Sequence, residues 1–185
     1  MGLLRRIRHK ISRGKLQVVA EAIFTSKLRY GLAVYGKPRL TNEEPISGQI
    51  QRLQVIQNDM LRLISGHRRA EHINMSELRR EKHMMSINQL TVYHVALEAY
   101  NIVYRNSSEQ LRQKMKKEEN EHHSLRSQER GDLAVPPRPK KKCTGFSYTG
   151  AIVWNALPVE LRISEIKPDK FKRHLKKWIW NQVPN

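Results

Sequence analysis

The sequence predicts an all-α protein, and three observations carry that expectation. Apolar residues recur at helical spacing through most of residues 3–105 and again near the C-terminus. Several of these stretches open on a capping residue or a first-turn proline, or close on a glycine stop. Between them, residues 107–142 lose the pattern. The expected architecture is a small helical bundle over 1–106, a flexible polar, proline- and lysine-containing linker over 107–142, and a short helical C-terminal segment over 143–185.

Taken in order, Leu3, Leu4, Ile7 and Ile11 form one helical stripe, with Arg5, Arg6, Arg8 and Arg13 elsewhere, until Ser12 and Gly14 interrupt it. A longer helix is expected from Lys15 to about Tyr35, with Leu16, Val19, Ile23 and Tyr30 on its apolar side. Pro38 forces Lys37 into an extended conformation, and Thr41–Gly48 reads as a loop. The next helix, about Ser47 to Ser65, carries Ile50, Leu53, Ile56, Met60, Leu61 and Ile64 as its buried stripe. Gln49, Gln51, Gln54, Gln57 and Asn58 occupy its other face, and Gly66 is a natural stop.

A short helix starts after Asn74, with Glu77 placed for a capping box. A clearer box follows, Ser86 with Gln89 three residues on, and opens a helix that holds Ile87, Leu90, Tyr93, Leu97, Tyr100 and Tyr104 in register to about Arg105. Leu111 and Met115 suit a solvated helix inside an otherwise mobile stretch that contains a Lys-Lys-Glu-Glu run, Pro136, Pro137 and Pro139. Order returns with Phe146, Tyr148 and Trp154. The last helix begins near Pro168, a good first-turn residue, and buries Phe171, Leu175 and Trp178.

Charge is the strongest functional signal. The chain has 185 residues and a formal net charge of +18. Residues 1–40 hold ten Lys/Arg against one acid, residues 41–137 fourteen against thirteen, and residues 138–185 eleven against three. Two basic ends around a near-neutral middle favour polyanions, nucleic acid before an anionic membrane surface. Arg5, Arg6, Arg8, Lys10, Arg13, Lys27 and Arg29 are the candidate phosphate contacts at one end. Lys170, Lys172, Arg173, Lys176 and Lys177 are those of the last helix. Tyrosine and tryptophan near them could stack on bases, although core packing is the simpler role for each aromatic taken singly.

Catalytic signatures are weak. Gly31, Gly36 and Lys37 have the spacing of a phosphate-binding loop, but Pro38 stands where that loop needs a magnesium-binding hydroxyl, and the stretch continues a helical pattern. Polymerase chemistry needs clustered carboxylates around metal ions. The aspartates are Asp59, Asp132 and Asp169, widely separated. His67 with His72, and the adjacent His122 and His123, lack the partners of a metal site and are expected to be solvated. The one cysteine, Cys143, forms no internal disulfide and fits a reducing compartment, though Lys140–Lys142 beside it could lower its thiol pKa. No catalytic residue, metal, cofactor or small-molecule substrate is implied. No stretch has the length of a transmembrane span, and the N-terminus lacks a secretory signal. Pro139–Lys142 suits nuclear import, so a nuclear or cytoplasmic location is expected.

Two blocks, taken together, resemble a known family. The first runs from Phe24 through Tyr30-Gly31 to Tyr35-Gly36, and continues as Leu53-Gln54, Gln57-Asn58, Leu61-Arg62, Ile64 and Gly66. The second runs from Phe146 and Tyr148 to Trp154-Asn155, Leu157-Pro158 and Arg162, with Phe171-Lys172 downstream. Their order and spacing resemble the region after the palm in reverse transcriptases of non-LTR (LINE-type) retrotransposons. The resemblance spans about Met1 to Trp180. It implies a thumb-like helical region gripping the backbone of a template–primer duplex, RNA or DNA, and packing on the palm. It implies equally that the palm with its paired aspartates, the endonuclease and the cysteine-rich zinc segment of some members are absent. The expectation is therefore a non-catalytic, nucleic-acid-binding fragment of a mobile-element polymerase.

Two other classes compete. The chain could be an orphaned protein-interaction fragment whose apolar surface oligomerises. Alternatively, its basic N-terminal helix, free of acids before Glu21, could be an organellar presequence or membrane-surface anchor.

Overall fold

A computed structural model describes residues 2–105, 107–115, 130–137, 145–162 and 166–184; of Leu3, Thr25, Arg29 and Tyr30 it describes only the backbone. The elements are α1 (Gly2–Ile7), α2 (Arg13–Tyr35), α3 (Gly48–Ser65), α4 (Met75–Glu81), α5 (Ile87–Arg105), α6 (Glu109–Lys114), α7 (Phe146–Asn155), a 3-10 turn (Val159–Leu161) and α8 (Pro168–Gln182). The fold is all-α, with no sheet among the described residues.

Helix α5 is the axis. It touches α2, α3, α6, α7 and α8. Its start is fixed by the capping box: Ser86 Oγ accepts from Gln89 N at 3.2 Å, and Gln89 Oε1 accepts from Ser86 N at 3.1 Å. Being surrounded, it buries Val92, Val95, Ala96, Ala99 and Ile102 as well as Ile87 and Tyr100. The stripe expected from periodicity is thus only part of its buried surface, with Leu90, Tyr93 and Leu97 half-buried.

The largest core lies where α5, α7 and α8 meet. Trp154, Tyr100, Phe171, Leu175 and Ile179 are fully buried there. Tyr100 and Phe171 stack with ring centroids 4.3 Å apart, a geometry that adds to their burial. Pro168 does occupy the first turn of α8. The core also crosses the expected linker. Met115 and Leu133 are buried in it. Trp154 Nε1 donates to Gly131 O at 3.1 Å, and Asn155 clasps Leu133, accepting from its N at 2.8 Å and donating to its O at 2.9 Å. Residues 109–115 and 130–137 therefore belong to the packed body. The Lys-Lys-Glu-Glu run, His122, His123, Pro139–Lys142 and Cys143 lie outside the described residues.

A second core joins α1, α2, α3 and α4 through Leu4, Leu16, Ala20, Met60, Leu61, Ile64 and Leu78. Two corrections to the sequence expectations fall here. The first helix ends at Ile7 instead of running toward Arg13, so Ile11 reaches this core from a turn. Gln57, expected on the polar face of α3, is buried, while Ile56, expected in the apolar stripe, is exposed. Gln57 Nε2 donates to Met85 O at 2.8 Å, and Gln54 Oε1 accepts from Ile87 N at 2.9 Å. Helix α3 thus uses amides to satisfy the backbone entering α5, where unpaired polar groups would be costly.

Candidate nucleic-acid interface

The basic surface is built at the junction of α1, α2 and the end of α3. Ser47 Oγ accepts from Ile50 N at 3.3 Å to open α3, and Gly66 closes it in the left-handed region at φ 80°. The chain then turns outward through His67–Arg69. Arg62, one turn inside α3, ties this turn down by donating to Arg68 O at 3.1 Å and Glu71 O at 2.8 Å. Glu71 completes the brace: its Oε1 accepts from Arg68 N at 2.9 Å, and its Oε2 pairs with His67 Nδ1 at 2.8 Å. The Arg68 amide and then His67 hold the Glu71 carboxyl below its ordinary pKa.

Facing this turn are the short helix α1 and the first turn of α2. Between the two sides lies a cleft of about 710 Å³. Its walls carry Arg5, Arg8 and Arg13 from the N-terminal side and Arg62, Arg68 and Arg69 from the α3 side. His9 and His67 stand beside them over a floor of Leu16, Leu63 and Ile64. Asp59 is the one acid in its lining, and Arg69 contacts it at 3.4 Å. Six guanidinium groups against Asp59 in the lining and Glu71 behind His67 leave the concave site with an excess of positive charge. Arginine's planar fork of donors suits phosphate oxygens.

The sequence-predicted residues divide among several places. Arg5, Arg8 and Arg13 line the cleft. Arg6 and Lys10 are exposed nearby but are not among its lining residues. Lys27 stands elsewhere, at an apolar groove with Ile23, Phe24, Ile56 and Met60. Arg29 lies in α2, its side chain outside the described residues. Lys170, Arg173, Lys176 and Lys177 are exposed on α8, with Lys172 half-buried and 3.5 Å from Asp169; Lys176 Nζ sits 5.9 Å from the Tyr93 ring centre. None of the α8 cations lines the cleft.

Sequence reading missed Arg62, Arg68 and Arg69. The available signal was the Arg68-Arg69 pair two residues past the Gly66 stop, where cations also meet the negative end of a helix dipole. The stretch from Gly31 to Tyr35 is helical, so the glycine–lysine spacing there forms no phosphate loop. Of the aromatics, Trp154 and Tyr100 are buried core residues.

No family model matches this chain, nor does any curated protein or solved structure. Among the described residues, no helix is long and apolar enough to cross a membrane, and no group of three or more histidine, cysteine, aspartate or glutamate side chains is placed to hold a metal.

Proposed function

We propose that the chain binds nucleic acid through its phosphate backbone, without catalysing a reaction on it, and that the arginine cleft is the principal contact. The observation carrying this reading is the convergence of Arg5, Arg8, Arg13, Arg62, Arg68 and Arg69 on one concavity with a single acid in its lining. Phosphate contacts of this kind position a nucleic acid without reading its sequence, so little base preference is expected. The cationic face of α8 supplies a second, flatter set of contacts. The motif order from Phe24 to Phe171 supports the same reading: it resembles the thumb-like region of a retrotransposon polymerase, for which an RNA or DNA duplex is the expected ligand. A mobile-element origin and a nuclear or cytoplasmic site of action go with that proposal.

Fluorescence anisotropy against RNA, DNA and hybrid duplexes, titrated with salt, tests it. The expected result is an affinity whose logarithm falls linearly with the logarithm of salt concentration. Negligible binding near physiological salt overturns it. The protein-interaction reading would then be the better one, and it has its own observation: Val55 and Ile56 are exposed on α3, with Ile56 bordering the apolar groove at Lys27.

A further inference from the structure

Arg79, on α4, is 6% exposed. Its Nη1 donates to Asn58 Oδ1 at 3.1 Å and its Nη2 to Ser76 Oγ at 3.3 Å, while its Nε is buried and makes no hydrogen bond. A guanidinium carries five N–H donors, so these two bonds leave three uncommitted. Both partners are neutral, and no described carboxylate forms an ion pair with Arg79. Burial pushes its pKa below the ordinary arginine value. An unpaired buried charge is among the more destabilising arrangements a protein can hold.

The same side chain lines a pocket of about 200 Å³ on the α3–α4 side of the molecule. Apolar Ile46, Ile50 and Met75 form part of that lining, with Gln51 and Arg39 among its polar members. Arg39 is only half-buried, so its charge stays in reach of solvent; its Nε donates to Thr41 O at 2.7 Å, and its Nη2 to Asn42 O and Oδ1. One buried cation with spare donors, set in a small and partly apolar pocket, calls for one negative charge on a small apolar body.

We propose that this pocket binds a small monocarboxylate, whose oxygens take the remaining Nη donors of Arg79 while its carbon body lies against Ile46, Ile50 and Met75. The site is distinct from the arginine cleft and does not depend on nucleic-acid binding. A monoanion neutralises Arg79, whereas a phosphate dianion would bring excess charge into an apolar lining.

The test uses the whole chain and butyrate as probe, with chloride and inorganic phosphate at matched ionic strength as comparisons. Calorimetric titration should give 1:1 butyrate binding, and Tm should rise saturably with butyrate and not with chloride. Arg79→Met should weaken butyrate binding about tenfold or more, with nucleic-acid affinity unchanged. Should that variant fail to fold, Ile46→Glu, which places a negative charge at an exposed position of the pocket wall, should abolish the butyrate response. A Tm response equal for butyrate and chloride, or tighter binding of phosphate than of butyrate, overturns the proposal. So does butyrate binding that survives in Arg79→Met.

Discussion

The guanidinium of Arg13 lies across Gly66: its Nη2 is 3.0 Å from the position a Cβ would take on that glycine. The contact joins the first residue of α2 to the stop of α3, both of which line the cleft. Gly66 is required by its φ of 80°; the arginine beside it is the flexible end of a side chain.

Replacing Gly66 with alanine should therefore act first through the backbone. A side chain in the left-handed region costs roughly 1–2 kcal/mol, while the arginine tip can swing aside. A fall in Tm of roughly 2–8 °C is expected for a chain of this size. Thermal unfolding followed by circular dichroism measures it, and an unchanged Tm would show that α3 ends otherwise.

Gln57→Leu preserves volume but removes the donor that satisfies the Met85 carbonyl. Leaving that buried acceptor unpaired should destabilise by about 1–3 kcal/mol. Urea unfolding is the measurement, with Gln51→Leu on the exposed side of α3 as the neutral comparison.

Trp154→Phe should lower stability by a similar amount, about 1–3 kcal/mol, because the Gly131 carbonyl loses its partner and the indole leaves a void. The loss should be accompanied by faster proteolysis within residues 130–137, which Trp154 and Asn155 hold in place. Unaltered cleavage there would mean that Asn155 alone suffices.

Those two residues mark a boundary in what the sequence discloses. Helix α3 was legible because its stripe, Ser47 and Gly66 agree on one element, and α8 because Pro168 and the Phe171–Leu175 spacing agree on another. Local signals of that kind report only on their own helix. Gln57 is buried because α5 begins opposite it, which no pattern within α3 encodes. Helix α5 is enclosed by five neighbours, so its burial exceeds any one stripe. Met115 was legible only as one end of a short solvated stripe with Leu111, and Leu133 lies in a three-residue apolar run, Leu133–Val135, too short to set a period. The cleft was half legible for a related reason. Arg62, Arg68 and Arg69 sit in a stretch whose charges cancel along the chain, yet folding sets them opposite Arg5, Arg8 and Arg13, and their charges add in space.

The turn that presents Arg68 should loosen in acid. Glu71 is held below the ordinary glutamate pKa by the Arg68 amide and His67, so the brace is fully formed above that ordinary value and is lost as pH falls through the lowered folded pKa. A carboxyl titration by NMR should place the Glu71 midpoint below the ordinary glutamate value, and His67→Ala should raise it. A midpoint at or above the ordinary glutamate value would remove the brace from the account.

The most direct measurement sets two charge-reversed triples against each other in salt-titrated anisotropy. One, Arg5→Glu with Arg8→Glu and Arg68→Glu, empties the cleft of three cations; the other, Arg105→Glu with Arg112→Glu and Lys114→Glu, changes net charge equally on exposed residues elsewhere. The cleft triple should lose far more affinity, and its salt slope should fall by about 0.9 per phosphate contact removed, while the comparison triple keeps its slope. Equal losses with equal slopes in both would show that binding follows net charge alone, and that the arginine cleft is not the site.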